Sequence, residues 1–352
     1  MKEKNPNKIK FLPITEEEKK DLEDKIFVSI QKRKSRKRKT RYLIGVAASI
    51  ALVVGVGFLF YETPTKAPSI IDFVNASSGV ESKSDKVVLM LGEQDSLKID
   101  EEITTIHYSS TGQNVTIGST KTINQEITED AKMVYNTLLV PYGKRSKIEL
   151  SDGSMVWLNS GSRMVYPAVF NGDKREVYIE GEAIFEVAHR KSQPFIVISQ
   201  DQEIEVLGTV FGVTNYLDEN SINTVLKSGS VQISYHNNSS SSIETDKMKI
   251  SPGTKASYNK NTKSIISEKV NVDTYFSWRE GFLVFNKNNL EFIMKRISRY
   301  YNVEVNIEDE VLTTETFSGY LDLNEDIEKV IESIKQSTNM DYELKENEII
   351  IN

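Results

Sequence analysis

The longest uninterrupted apolar stretch of the chain runs from Leu43 to Phe60 and holds eighteen residues without a charge. A helix rises about 1.5 Å per residue, so this stretch covers roughly 27 Å, close to the hydrocarbon thickness of a bilayer. Tyr42 and Tyr61 flank it in the manner of interfacial aromatic residues. The pattern predicts a transmembrane helix over residues 42–61.

The segment before this stretch, residues 1–41, is strongly charged but carries one narrow apolar stripe. Thr15 and Glu18 have the spacing of a capping box, which predicts that a helix begins there. The stripe recurs at helical spacing and consists of Leu22, Ile26, Phe27 and Ile30. A lone helix cannot cover such a stripe, so we expect a partner protein, a second copy or the membrane surface to do so. The alternative is a plain charged extension of the membrane helix.

Beyond the apolar stretch, short alternating runs such as KIEL, MVWL, REVYIE and FIVIS are separated by Gly, Asn, Asp and Ser. Hardly any helical period occurs between Ile71 and Tyr275. This pattern is typical of an all-β region. We divide it into a membrane-proximal β region, 62–135, and a main β domain, 136–275.

The period changes again in residues 276–352. Apolar residues at helical spacing form two groups: Leu290, Ile293, Met294, Ile297 and Tyr301, and then Ile327, Val330, Ile331 and Ile334. Strand-like runs lie before, between and after the two groups. The predicted order is β-α-β-β-α-β-β, a small α+β domain with two helices on one face of a short sheet.

Charge separates the two ends of the chain. Residues 1–41 hold 15 Lys or Arg against 7 Asp or Glu, a net of +8, so the remainder carries −15 of the total of −7. Eight of the ten residues from Lys32 to Arg41 are basic and lie directly before the apolar stretch. The positive-inside rule therefore predicts a single-pass inner-membrane protein with a cytoplasmic N-terminus and residues 62–352 in the periplasm.

Two other interpretations of this end were weighed. A cleaved signal peptide normally has a shorter charged leader and a small-residue cleavage site after its apolar run. A nucleic-acid patch could also be basic, but a run adjoining a membrane span is better explained by topology and lipid contact. The chain contains no cysteine and three scattered histidines, which argues against disulfides and metal sites. We expect no cofactor, no metal and no direct contact with nucleic acid.

Three acidic residues, Glu180, Glu182 and Glu186, could be taken for the paired carboxylates of a glycoside hydrolase. Strand alternation would place Glu180 and Glu182 on one face. No other acid-base constellation supports this interpretation, and no nucleophile elbow or phosphate loop is present. The sequence therefore does not predict a metabolic enzyme.

Other conspicuous residues of the β domain are better explained by structure. Asp152-Gly153 and Gly181-Glu182 are interpreted as turns that tolerate positive φ. Four aromatic residues are interpreted as core in preference to a carbohydrate platform: Trp157, Tyr166, Phe185 and Phe211.

A dense series of motifs gives the β domain a family resemblance. NTLLVPYG, KIELSDGSMVWLNSGSRMVYP, REVYIEGEAIFEVAH, QPFIVIS, VLGTVFGVTNY and VLKSGSVQI follow one another between Asn136 and Ser234. Together they resemble the FecR family of anti-sigma factors. The later run FSWREGFLVFNKNNLEFIMKRISRYYNVEVNI resembles the C-terminal domain of the Bacteroidetes branch, which is akin to the short signalling domain of secretins and TonB-dependent receptors.

The resemblance implies a transmembrane signal transducer that links an outer-membrane TonB-dependent transporter to an extracytoplasmic-function sigma factor. The implied partners are that sigma factor, the signalling domain of the receptor and an intramembrane protease. We expect Leu22, Ile26, Phe27 and Ile30 to contact the sigma factor. One departure from the family is the cytoplasmic segment, which has 41 residues and no tryptophan.

The receptor's signalling domain is expected to dock on residues 276–352, because a small open sheet leaves strand edges that accept another strand. The candidate edge is the terminal strand, formed by Glu348, Ile349, Ile350 and Ile351. Three consecutive isoleucines cannot all face inward from a strand, so at least one is expected to be exposed.

The resemblance also makes Gly208-Thr209 a candidate self-cleavage site. In parts of the family the exported domain cuts itself at a Gly-Thr bond, where the Thr hydroxyl attacks the preceding carbonyl in an N-to-O acyl shift. Backbone strain in a tight turn would favour the reaction. The alternative is a glycine bend followed by an ordinary β-branched strand residue.

Two other functions remain open. The chain could tether an exported binding or scaffold domain to the membrane without any role in transcription. A periplasmic hydrolase is the third hypothesis, and it lacks a recognisable site.

Overall fold

The computed structural model describes residues 15–59, 69–77, 84–92, 95–101, 103–119, 121–127, 133–236, 245–338 and 340–352. The chain divides into two compact units, Met1–Lys66 and Ala67–Asn352.

Within its described residues, 15–59, the first unit forms one helix, α1 (Glu16–Leu59), which includes part of the charged segment and most of the apolar stretch. The predicted capping box is confirmed: the Thr15 amide donates to the Glu18 carboxylate at 3.1 Å and the Glu18 amide donates to Thr15 Oγ1 at 3.4 Å. These two bonds satisfy amides that a helix start leaves without intrahelical partners.

The predicted membrane span lies only partly within the described residues. Its last two residues, Phe60 and Tyr61, and the side chains of Leu43 and residues 57–59 fall outside them. Among the residues that the structure describes, no helix is both long and apolar enough to cross a membrane.

The second unit begins with α2 (Ile70–Ala76), in a region predicted as β. This prediction was wrong at α2 because Ser69 and Asp72 form a capping box. Ile70 and Val74, one turn apart, are buried against the outer face of a sheet. A run of seven residues is too short for the helical period to stand out in the sequence.

Eighteen strands follow α2 and share one hydrogen-bonded network. The first nine are β1 (Val87–Leu91), β2 (Asp95–Ile99), β3 (Ile103–Tyr108), β4 (Asn114–Ile117), β5 (Lys121–Asn124), β6 (Tyr135–Val140), β7 (Arg145–Glu149), β8 (Met155–Leu158) and β9 (Ser162–Pro167). The next nine are β10 (Arg175–Glu186), β11 (Phe195–Ser199), β12 (Gln202–Val206), β13 (Val210–Asn215), β14 (Ser221–Ser228), β15 (Val231–His236), β16 (Thr245–Ile250), β17 (Thr254–Asn259) and β18 (Ser264–Lys269).

The strands form two sheets that enclose one apolar core, and β10 belongs to both sheets. Its first half pairs with β9 and β11, and its second half with β8 and β13. Gly181 lies at the junction with φ +91°, in the left-handed region that favours glycine. The sheets also cross the predicted boundary at residue 135, because β1 pairs with β6 and β3 with β7.

A short helix α3 (Asp273–Phe276) and a 3₁₀ turn (Ser277–Glu280) lead into the C-terminal domain. This domain consists of β19 (Phe282–Asn289), α4 (Leu290–Tyr301), β20 (Glu304–Ile307), α5 (Glu310–Thr314), β21 (Thr316–Asp322), α6 (Ile327–Lys335), β22 (Tyr342–Lys345) and β23 (Glu348–Ile351). The predicted strands and both predicted helices are present, and α5 is an additional short helix.

Two features of the predicted C-terminal sheet were wrong. The strands form two sheets, β19-β21 and β20-β23-β22, in place of one. The terminal strand β23 is the central strand of its sheet, because it pairs with β20 on one side and β22 on the other. Ile349 and Ile351 are fully buried and Ile350 is half-buried, so one isoleucine is partly exposed as expected.

Candidate functional site

The C-terminal domain meets the β domain along a surface that we call the domain seam. It is formed by the α4 residues Arg296 and Arg299, the preceding residues 276–279, and the loops and strand ends of the β domain that they contact.

Glu182 and Arg296 form the central ion pair of the domain seam. Arg296 Nη1 lies 2.6 Å from Glu182 Oε2, and the two side chains are 15% and 7% exposed. Burial opposes the charge of Arg296, but the adjacent Glu182 carboxylate outweighs it and holds the pKa of Arg296 above its usual value. Because both charges are largely removed from water, loss of either partner would leave the other uncompensated.

Hydrogen bonds within the β domain also hold Glu182 in place. Asn159 Nδ2 donates to Glu182 Oε2 at 2.7 Å, and Thr214 Oγ1 donates to Oε1 at 3.3 Å. Gly181 brings this backbone close to Ser162, since a Cβ at Gly181 would lie 2.6 Å from the Ser162 Cα. The Glu182 amide in turn donates to Ser162 Oγ at 2.9 Å. The carboxylate is therefore preorganised to accept the arginine.

Arg299 lies one turn further along the same face of α4. Its guanidinium reaches Glu219 at 2.6 Å and Asp218 at 2.8 Å, and its carbon Cζ lies 3.6 Å from the centre of the Tyr216 ring. The Arg299 side chain is 4% exposed. The i, i+3 spacing with Arg296 aims both cations at the β domain.

Four further contacts extend the domain seam. The Gly143 amide of the β domain donates to the Arg299 carbonyl at 2.9 Å, which satisfies a carbonyl at the end of α4. Arg145 lies 4.5 Å over the Tyr300 ring. Arg279 pairs with Glu186 at 2.8 Å and stacks on Trp157 at 4.9 Å.

Apolar packing fills the space between these charges. Phe276 and Trp278 are buried with Ile184 and Val225 of the β domain. Buried ion pairs, helix capping and apolar contact therefore act together, and the two domains pack as one unit.

The three candidate hydrolase carboxylates are each engaged by a different cation. Glu182 pairs with Arg296, Glu186 with Arg279, and Glu180 lies 3.6 Å from Arg163 while accepting the Tyr178 hydroxyl at 2.7 Å. Among the residues that the structure describes, no group of His, Cys, Asp or Glu side chains could hold a metal ion. The geometry assigns these glutamates to packing between elements.

The turn interpretation is confirmed for Asp152-Gly153 but was wrong for Gly181-Glu182, which lies inside strand β10 with only its positive φ as expected, and the core interpretation is confirmed for three of the four aromatic residues. Gly153 and Gly181 have φ of +84° and +91°. Asp152 is also a buried partner of Arg175, at 2.6 Å with both side chains at most 1% exposed. Three of the four aromatic residues are buried core, namely Tyr166, Phe185 and Phe211, whereas Trp157 is half-buried at the domain seam.

The candidate self-cleavage bond links β12 to β13. Thr209 is 4% exposed, and its hydroxyl donates to the Ser230 carbonyl at 3.0 Å. Gly208 is not in the left-handed region, so the expected backbone strain is not found there. Instead the site is crowded: a Cβ at Gly208 would collide with the His189 imidazole, and one at Gly229 would lie 2.9 Å from the Gly208 carbonyl oxygen.

His189 was not identified from the sequence. It is exposed and borders the same surface cavity as Gly208 and Thr209. Nothing in the spacing from residue 189 to 208 indicates this proximity, which arises because the Val187 amide donates to the Thr209 carbonyl at 3.0 Å.

The predicted sigma-factor face lies on the described part of α1. Leu22, Ile26, Phe27 and Ile30 are 57%, 50%, 64% and 49% exposed. The predicted receptor edge, Glu348–Ile351, lies in the C-terminal domain but is interior to its sheet, as described above.

Comparison with known proteins places two families on these domains. The family described as "FecR protein" matches residues 136–232, and "FecR, C-terminal" matches residues 282–351. No curated protein matches the chain.

Two crystal structures of a "putative anti-sigma factor" from Parabacteroides distasonis ATCC 8503 are similar to the chain. Both are 27% identical in sequence. One, at 1.65 Å resolution, has a TM-score of 0.55 and covers 61% of this chain and 98% of its own. The other, at 2.50 Å, has a TM-score of 0.56 and covers 62% and 98%.

Proposed function

This chain belongs to the FecR family, and on that premise we propose that it acts as an anti-sigma factor. The observation that carries the proposal is the joint presence of the FecR domain and its C-terminal partner, packed through buried ion pairs at the domain seam. The similarity to the two Parabacteroides structures supports the same role.

The chain is anchored in the inner membrane by residues 43–60, with its N-terminus in the cytoplasm and residues 62–352 in the periplasm. Two observations support this part of the proposal. The basic run from Lys32 to Arg41 precedes the apolar stretch. Within the stretch, apolar side chains such as Leu52 and Val53 are 68% and 69% exposed on α1, a costly arrangement in water.

In the cytoplasm, Leu22, Ile26, Phe27 and Ile30 bind an extracytoplasmic-function sigma factor. The support is their exposure at helical spacing on a capped helix, which is the form of a helix that lies in a partner's apolar groove.

In the periplasm, the C-terminal domain receives the signalling domain of a TonB-dependent outer-membrane receptor. The domain seam couples this binding to the β domain. Arg296 and Arg299 cannot move with α4 without breaking their buried ion pairs to Glu182 and Glu219. Release of the sigma factor then follows proteolysis, which includes a cut by an intramembrane protease.

The Gly208-Thr209 bond is a second element of the proposal. The Thr209 hydroxyl adds to the Gly208 carbonyl carbon, its proton passes to the departing Thr209 nitrogen, and water then hydrolyses the ester to a new carboxylate at Gly208. Crowding of this bond by His189 and Gly229 supports a specialised role for the site. The protein is otherwise not an enzyme.

The rival function is a membrane-tethered binding or scaffold protein without a role in transcription. Residues 1–41 contain no tryptophan, a departure from the family that favours it. The experiment that decides is co-expression of the full chain, tagged at its N-terminus, with each extracytoplasmic-function sigma factor of its host. We expect one of them to co-purify in detergent, and deletion of the gene to raise transcription from that sigma factor's promoters. Absence of both effects would favour the tether.

A further inference from the structure

The outer strand of the two-stranded sheet, β21, has one side without a strand partner. Among the described residues it pairs with β19 alone. On its other side β19 lies toward the β domain, because Leu283 and Val284 border the same cavity as Thr214 and Lys255, so β21 is the open side of this sheet. At alternate residues an edge strand presents amide and carbonyl groups that another strand can bind.

β21 is also the least protected edge of the C-terminal domain. Proteins commonly guard edges with charged residues, proline or short length. The other two outer strands, β20 and β22, have four residues each, and β22 carries Glu343 and Lys345. β21 has seven residues and its only charge is Asp322, at its end. Tyr320 on this strand is 73% exposed.

A groove of about 710 Å³, lined by both apolar and polar residues, runs between β21 and α6. Its apolar lining includes Phe285, Ile293, Phe317, Val330 and Ile334, and its polar lining includes Ser333 of α6 and, just beyond that helix, Ser337 and Thr338. Gly319 keeps this space open, because even a Cβ there would lie 3.3 Å from the Phe285 ring. A strand added beside β21 would direct every second side chain into the groove.

The charges at the groove define the partner further. Asp322 and Glu325 line one end, and no lysine or arginine lines any part of it. The complementary strand therefore has apolar residues at alternating positions and a basic residue at the end that reaches these carboxylates.

We propose that the free edge of β21 is where the receptor's signalling domain binds, by adding such a strand to the β19-β21 sheet. This inference rests on the proposed function for the identity of the partner, and it replaces the terminal strand as the docking edge. The groove, the unguarded edge and the acidic end all lie on the same face of the C-terminal domain.

The test uses the full chain in detergent and, as probes, the purified signalling domains of the TonB-dependent receptors of its host. Hydrogen exchange is measured by mass spectrometry with and without each probe. We expect one domain to bind and to slow exchange at least tenfold at outward-facing amides within residues 316–322, while β20 and β22 stay unchanged.

Matched variants test the groove itself. Ser333→Lys combined with Ser337→Lys places two long cations on the rim and should weaken binding at least tenfold. Gln336→Lys places one lysine at the C-terminal end of the same helix, outside the groove lining, and should bind as the unchanged chain does.

Four outcomes overturn the inference in distinguishable ways. Binding with protection elsewhere in residues 276–352 would reject this edge and leave the proposed function standing. Equal weakening by Gln336→Lys would reject the groove. If hydrogen exchange at residues 316–322 slows with increasing concentration of the chain alone, without any probe, the edge would bind a second copy of the chain. Failure of every signalling domain to bind would reject the inference together with the receptor step of the proposed function.

Discussion

Replacing Arg296 with alanine should destabilise the second unit, Ala67–Asn352, far more than an ordinary surface change. The substitution leaves Glu182, 7% exposed, without its cation. Breaking a buried ion pair from one side costs about 3–5 kcal/mol. Asn159 and Thr214 still donate hydrogen bonds to the carboxylate, so we expect the lower end, about 3 kcal/mol.

A loss of this size should lower the melting temperature by roughly 6–12 °C, since about 1 kcal/mol corresponds to 2–4 °C in a unit of this size. Differential scanning calorimetry of the full chain in detergent would measure it. Lys295→Ala is the matched control on α4: its pair with Glu291 is half exposed, and its loss should cost under about 0.5 kcal/mol.

The double variant Glu182→Gln with Arg296→Ala separates the ion pair from mere packing. Removing the uncompensated charge should return the free energy of unfolding to within about 1 kcal/mol of the unchanged protein. A loss below about 1 kcal/mol for Arg296→Ala alone, or a double variant no more stable than the single one, would refute the assigned role of the pair.

Three further predictions concern topology, sigma binding and self-cleavage. Protease added to spheroplasts should digest residues 62–352 and spare a tag at the N-terminus; digestion of the tag would reverse the proposed orientation. Leu22→Asp with Ile26→Asp should abolish co-purification of the sigma factor and leave membrane insertion intact, and unchanged co-purification would move the contact elsewhere. Purified wild-type protein should yield two fragments without added protease. Thr209→Ala should remain whole and Thr209→Ser should still be cut, because the reaction needs only the hydroxyl; wild-type protein that stays whole would return this bond to the role of a bend.

The helices of the C-terminal domain could be predicted from the sequence because their apolar period is strong and local. Ile293, Met294 and Ile297 of α4 are at most 1% exposed. They form the single buried face that their spacing predicts. The capping box at Thr15 could be predicted equally well, because its two residues, Thr15 and Glu18, are three positions apart in the sequence.

Strand order was not predictable in the same way. The terminal run EIII was expected at an edge, but β23 pairs with β20 in parallel, and such pairing joins strands separated by a long stretch of chain. The direction and order of strands depend on which faces pack together. The alternation of apolar and polar residues in one strand shows which of its own two faces is buried, and it does not identify the neighbouring strands.

The domain seam also could not be predicted from the sequence. Glu182 was noticed as an acid and Arg296 only as part of a helix, and 114 residues separate the two. His189 and Gly208 illustrate the same limit, since a backbone hydrogen bond between distant segments brings them together. Local sequence patterns identify candidate residues, whereas the residues that they contact depend on the tertiary structure.

The bond between Gly208 and Thr209 joins two strands that belong to different sheets. Strands before this bond pair with strands after it in both: β12 with β15 in one, and β10 with β13 in the other. The interlocked sheets of a chain cut there would still hold its two pieces as a single particle. The pieces would separate only under a pull that shears both ladders at once, so the cut would convert a covalent tether into a joint that yields to mechanical load.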